Sequence, residues 1–107
     1  MIALWQNAAP VEMVPGLVRR TLATGERAML IEFRGQAGVA VGTHQHPAEQ
    51  DGYVVSGQIV IIIAGAETPV GAGDSYAIPA ASPHGARFVT DAVILETFSP
   101  PREDFRA

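Results

Sequence analysis

Apolar and polar residues alternate along this chain in short runs, each cut by glycine or proline. The clearest run covers 28–34. Met29, Ile31 and Phe33 fall on one face, and Leu30, Glu32 and Arg34 on the other. Period-two alternation of this kind predicts a half-buried strand. Similar runs predict strands over 11–14, 17–23, 39–43, 50–56, 58–64, 67–70, 75–78, 84–89 and 92–98. Turn signals such as Pro15-Gly16, Gly57, Gly65 and Gly73-Asp74 separate them. Residues 1–9 read as a short strand or an arm carrying Trp5, and 102–107 as a polar tail able to make a helical turn. No stretch predicts a helix of ordinary length. Nine or so short strands in about a hundred residues is an all-β, jelly-roll-like pattern.

One run breaks the alternation. Ile59-Val60-Ile61-Ile62-Ile63 is apolar throughout, so it calls for burial on both faces. One face would line a barrel interior. The other calls for a second layer, and a homodimer packed sheet on sheet is the expectation.

Composition narrows the class. The chain has 107 residues and is 48% hydrophobic and 17% charged, which fits one globular domain over 1–107. Its formal net charge is −4 and it has no lysine, so no basic stripe could track nucleic-acid phosphates. The pair Arg19-Arg20 reads as a solvated face. With no cysteine, disulfides and thiolate metal sites are excluded, which suits a cytoplasmic protein. No apolar run approaches the ~20 residues of a membrane helix.

Candidate chemistry concentrates in His44-Gln45-His46-Pro47-Ala48-Glu49-Gln50. The chain has three histidines. Two stand here and the third, His84, follows Pro83. Alternate strand residues share a face, so His44 and His46 can both aim inward. If Gln50 opens the next strand facing inward, Glu49 and Asp51 face out. Parity therefore favours Gln50 over Glu49 or Asp51 as a third ligand, although one bulge would reverse the choice. His84 would complete a set of three imidazoles and one neutral amide oxygen. Such a set suits a divalent transition ion (Zn, Mn, Fe, Ni or Cu) better than Ca or Mg. Neutral ligands leave the full charge of the ion for an anionic substrate.

These residues carry a family resemblance. Gly38, His44, His46 and Gly57 match the first cupin motif, with Gln50 at its acidic position. Gly73, Pro79 and His84 match the second, with Ala81 in place of its glycine and Phe88 in place of its asparagine. The chain thus resembles a small single-domain cupin, which implies a double-stranded β-helix barrel, a bound metal and often a dimer. Residues 44–57 and the segment Glu96-Thr97-Phe98-Ser99-Pro100-Pro101-Arg102-Glu103-Asp104-Phe105 are also similar to the pectin-degradation cupins. Those proteins help to linearise 4,5-unsaturated monouronates. They typically carry aspartate where this chain has Glu96.

Local patterning draws attention to Glu96 independently. It shares a strand face with Ala92, Ile94 and Phe98, and apolar residues flank it on the other face too. A buried carboxylate needs a partner or a raised pKa. Facing a metal, Glu96 is a candidate general acid or base; otherwise it would form an ion pair with Arg87 or Arg102. Arg102 suits a bidentate grip on a substrate carboxylate. Phe98, Tyr53 and Arg87 are candidates for the pocket wall or its mouth. The leading expectation is a metal-dependent enzyme that opens or tautomerises a small anionic sugar acid. A cupin dioxygenase with a redox metal and a non-catalytic small-molecule-binding cupin are the alternatives.

Overall fold

The computed structural model describes residues 1–106. Ten strands run in chain order: β1 (Val11–Val14), β2 (Leu17–Thr24), β3 (Met29–Gly35), β4 (Ala40–His44), β5 (Glu49–Ser56), β6 (Gln58–Ile63), β7 (Ala66–Gly71), β8 (Ser75–Ile78), β9 (His84–Phe88) and β10 (Ala92–Ser99). They form a six-stranded sheet in the order β1-β2-β3-β10-β5-β8 and a four-stranded sheet in the order β4-β9-β6-β7. Every pairing is antiparallel. The predicted alternation sets the faces. On β3, Met29, Ile31 and Phe33 are buried; on β10, Ala92, Ile94, Glu96 and Phe98 are buried. With Val54, Ile59, Ile61 and Phe88 the apolar members of these sets form the core between the sheets.

Register lines up the inward residues in rows across the larger sheet. One row is Tyr76, Gly52, Glu96, Ile31 and Thr21. The next is Ile78, Gln50, Phe98 and Met29. These two rows place polar groups in an otherwise apolar interior.

The unbroken apolar run occupies β6. Ile59 and Ile61 face the core, as expected. Val60 faces outward, yet it is only 7% exposed within one chain. Arg87 lies opposite Val60 on one side of β6, and Glu67 lies opposite Ile62 on the other. Their side chains meet at 2.9 Å, so an ion pair bridges β6 on its outward face. The chain itself therefore supplies part of the second layer that the sequence pattern demands.

The ends of the chain are tied down more firmly than their composition indicates. Trp5 sits in a short 3₁₀ turn, Trp5–Asn7. Its indole Nε1 donates to both Glu32 oxygens, at 3.1 and 3.0 Å, and its ring stacks under Arg20 at 4.1 Å and Arg34 at 5.1 Å. The C-terminal segment also forms a 3₁₀ turn, Glu103–Phe105, and buries Phe105. That contradicts a purely polar tail. Arg19 is likewise not a solvated residue. It is 4% exposed, donates to the Phe105 carbonyl at 2.9 Å and lies 4.7 Å from the Phe105 ring. Its neighbour Arg20 does point outward, toward Trp5.

Burial raises the pKa of Glu32, but hydrogen bonds from Arg34 and Trp5 outweigh it and hold the carboxyl below its ordinary value of 4.5. A depressed carboxyl pKa means that the stabilisation is present above the unfolded value and is lost as pH falls through the folded one. Trp5 is the only tryptophan, so its fluorescence reports on the arm. The emission is expected to stay constant down to the ordinary carboxylate range and to shift red only below it. In Glu32→Gln it should be insensitive to acid over that range. A wild-type midpoint at or above 4.5 would show that Glu32 does not hold the arm.

Candidate metal centre and cavity

Three elements bring the histidines together. His44 ends β4 and pairs with His84, the first residue of β9. His46 lies beyond the end of β4, in the irregular segment before β5. Convergence therefore does not rest on a continuous strand, as simple parity assumed. The loop is held instead by a hydrogen bond from the Ala81 amide to the His46 carbonyl at 2.8 Å. Ala81 itself has φ +60°, a left-handed conformation that glycine adopts more easily. The three rings stand 4.3 to 5.7 Å apart, and one nitrogen from each lies within 4.8 Å of the others.

Backbone carbonyls fix the histidine tautomers. The Nδ1 atoms of His44, His46 and His84 lie 2.9, 2.9 and 2.8 Å from the carbonyls of Gly42, Ala48 and Ser82. A carbonyl only accepts, so each Nδ1 carries the proton and each Nε2 presents a lone pair. His84 Nε2 is buried and has no hydrogen-bond partner. Burial also pushes the His84 pKa down, which keeps the ring neutral.

Gln50 is buried beside the cluster, while Glu49 and Asp51 are exposed. Its Oε1 lies 3.0 Å from His46 Nε2, and its Nε2 donates to Glu96 Oε2 at 2.6 Å. With the amide oriented so, two acceptors face each other at 3.0 Å, as they would across a shared metal ion or a second proton on His46. The orphaned His84 nitrogen and the three fixed tautomers favour the metal. These residues fit a divalent transition ion on their own chemistry.

Glu96 stands beside this cluster in the wall of a cavity of about 360 Å³. It is 5% exposed. Its Oε2 also accepts from the Tyr76 hydroxyl at 2.6 Å. Burial raises its pKa, against the lowering effects of Tyr76, Gln50 and Arg102. Phe98 lines the same cavity, with its ring 5.5 Å from His46. Arg102 lies at the C-terminal side. Its guanidinium stacks on Phe105 at 3.9 Å, lies 5.3 Å from Phe98 and pairs with Asp104 at 2.8 Å.

Two expected pocket residues lie elsewhere. Tyr53 is 48% exposed and pairs with Leu95 and Ser75 on the outward face. Arg87 is engaged with Glu67 on the outward face of β6. Strand parity explains both placements. On β5 the inward set is Gln50, Gly52 and Val54, and on β9 it includes His84 and Phe88. Sequence reasoning missed Tyr76 and Phe105. A glycine inside a strand often marks a close approach by another group, and Gly52 was the available sign of Tyr76. Phe105 had no comparable signal in so short a segment.

The comparisons agree with this geometry. A family model described as "Cupin domain" matches residues 31–98. The chain belongs to the cupin family. Pectin degradation protein KdgF of Dickeya dadantii (strain 3937) is 30% identical over 97 residues, 88% of this chain and 87% of that protein. Among solved structures, an RmlC-like cupin from Shewanella frigidimarina NCIMB 400 superposes with a TM-score of 0.92 at 30% identity, covering 97% of this chain and 94% of the other. KdgF from a Halomonas species superposes with a TM-score of 0.91 at 26% identity, covering 97% and 96%. The all-β cupin jelly roll expected from the strand pattern is thus the observed fold.

Calorimetric titration of metal-stripped protein with zinc or cobalt(II) should show saturable binding of one ion per chain. His84→Ala should lose most of the affinity. Saturable binding of equal strength in His84→Ala would remove His84 from the ligand set.

Proposed function

We propose that this cupin is an enzyme that opens or tautomerises a small anionic sugar acid, with a 4,5-unsaturated uronate as the substrate class. One observation carries the reading: a buried carboxylate, Glu96, stands in a cavity wall beside three clustered histidines and Gln50, with Arg102 at the same cavity. The similarity to two KdgF proteins, one described by its role in pectin degradation, points the same way.

His44, His46, Gln50 and His84 would hold the divalent ion, which when bound would supply Lewis-acid polarisation of a substrate oxygen. The protein's own groups would do the rest. Arg102 would receive the substrate carboxylate; its planar fork suits two parallel hydrogen bonds. Phe98, 1% exposed, and Phe105 would give the sugar an apolar wall and limit access of water. Glu96 would take the proton from the anomeric hydroxyl as the ring C–O bond breaks. It would return a proton to the ring-opened enol at C4, leaving a ketone at C5. The two transfers balance, so the net change is an isomerisation that needs no oxidant.

A general acid–base of this kind contributes roughly 10²–10⁴-fold to rate. With zinc-loaded protein and unsaturated galacturonate, NMR should show the ring form disappearing faster than it does spontaneously. Glu96→Gln should lower kcat by a factor in that range while retaining its metal. A wild-type rate no faster than the spontaneous one, at any metal loading, would exclude the reaction.

A further inference from the structure

Tyr76 belongs to β8, two strands away from Glu96. Its side chain would ordinarily be separated from Glu96 by the residue between them on β5. That residue is Gly52, which pairs with Tyr76 on one side and with Glu96 on the other. A Cβ added to Gly52 would meet Tyr76 Cζ at 2.0 Å and its hydroxyl oxygen at 2.4 Å. The phenol therefore occupies the space that a side chain at position 52 would fill. It reaches across the whole of β5 to place its hydroxyl 2.6 Å from Glu96 Oε2. Had Tyr76 only to fill the core, phenylalanine would serve as well. Its hydroxyl is instead committed to one oxygen of one buried carboxylate.

The consequence is an asymmetry between the two Glu96 oxygens. Oε2 accepts two short hydrogen bonds, from Tyr76 and from Gln50. Among the described residues none donates to Oε1. Rotation of the carboxyl about its last bond would break both bonds to Oε2 at once. We propose that Tyr76, passing over Gly52, is a positioning residue that locks the Glu96 carboxyl so that Oε1 alone is offered to a ligand. The second donor, Gln50, ties the same carboxyl to the histidine cluster. As a role in catalysis this rests on the proposed function; as a statement about the orientation of Glu96 it does not.

The two levels separate in the test. Tyr76→Phe keeps the ring over Gly52 and removes only the hydroxyl. In zinc-loaded enzyme with unsaturated galacturonate it should lower kcat roughly 10- to 100-fold, leaving KM and zinc affinity unchanged. Gly52→Ala should reproduce the loss of kcat by displacing the ring. A kcat in Tyr76→Phe within about twofold of wild type, far short of that range, would overturn the proposal, as would a loss explained by weaker zinc binding. Should wild type prove inert toward this substrate, the functional reading fails and NMR decides the inference. The Gln50 side-chain amide protons and the carboxyl carbon of Glu96 should shift in Tyr76→Phe, and a slowly exchanging hydroxyl proton should vanish. Unchanged resonances, with no such proton in wild type, would show that Tyr76 does not hold Glu96.

Discussion

The hydrogen bond from Gln50 Nε2 to Glu96 Oε2, 2.6 Å long, is the contact on which the rest of the site depends. It gives one amide two tasks. The nitrogen end holds the buried carboxylate, and so the oxygen end is turned toward His46 and the histidine cluster. An acidic residue at position 50 could serve the metal, but as an ionised ligand it could not donate to Glu96. Two carboxyl groups at this separation resist joint ionisation. On the proposed function, the neutral amide lets a metal site and a separate acid–base group share one small interior.

The fold supplies that contact through register. Gln50 and Glu96 lie in adjacent rows of the larger sheet, facing inward from neighbouring strands. Gly52 opens a passage in the row of Glu96, through which Tyr76 reaches it. The opposite wall comes from the smaller sheet, which delivers His84 and, through the end of β4, His44. The C-terminal turn forms a third side. Arg19, buried under it, bonds to the Phe105 carbonyl, and the Phe105 ring carries Arg102. A cation in the core thereby sets the position of a second cation at the cavity. Asp104 pairs with the second one, moderating the charge that an anionic ligand would meet.

Much of this was legible in the chain. Alternation placed Glu96 and Phe98 on one inward face, and the same parity selected Gln50 over Glu49 and Asp51. The three histidines lay in two short stretches framed by strand and turn signals. Parity applied with equal rigour would also have excluded Tyr53, which lies one residue from Gly52 and so faces out. Arg87 shows the same limit: nearness in sequence to His84 is not nearness in space when adjacent strand residues point to opposite faces. Tyr76 depends on a pairing across three strands, which no local pattern encodes. Phe105 depends on a single turn returning to the core, and a short segment with four charges around one aromatic residue gives no periodicity to read. The outward cover of β6 was legible as a need. That an ion pair within the chain meets part of it was not.

The coupling between position 50 and Glu96 is tested most directly by Gln50→Glu. The variant keeps an oxygen ligand for the metal, removes the amide donor to Glu96 and sets a second carboxyl group beside it. Metal content and turnover of unsaturated galacturonate should be measured on the same sample. Full metal occupancy with turnover well below that of wild type is the expected result. Full occupancy with turnover equal to wild type would contradict the claim that the amide joins the metal cluster to the acid–base group.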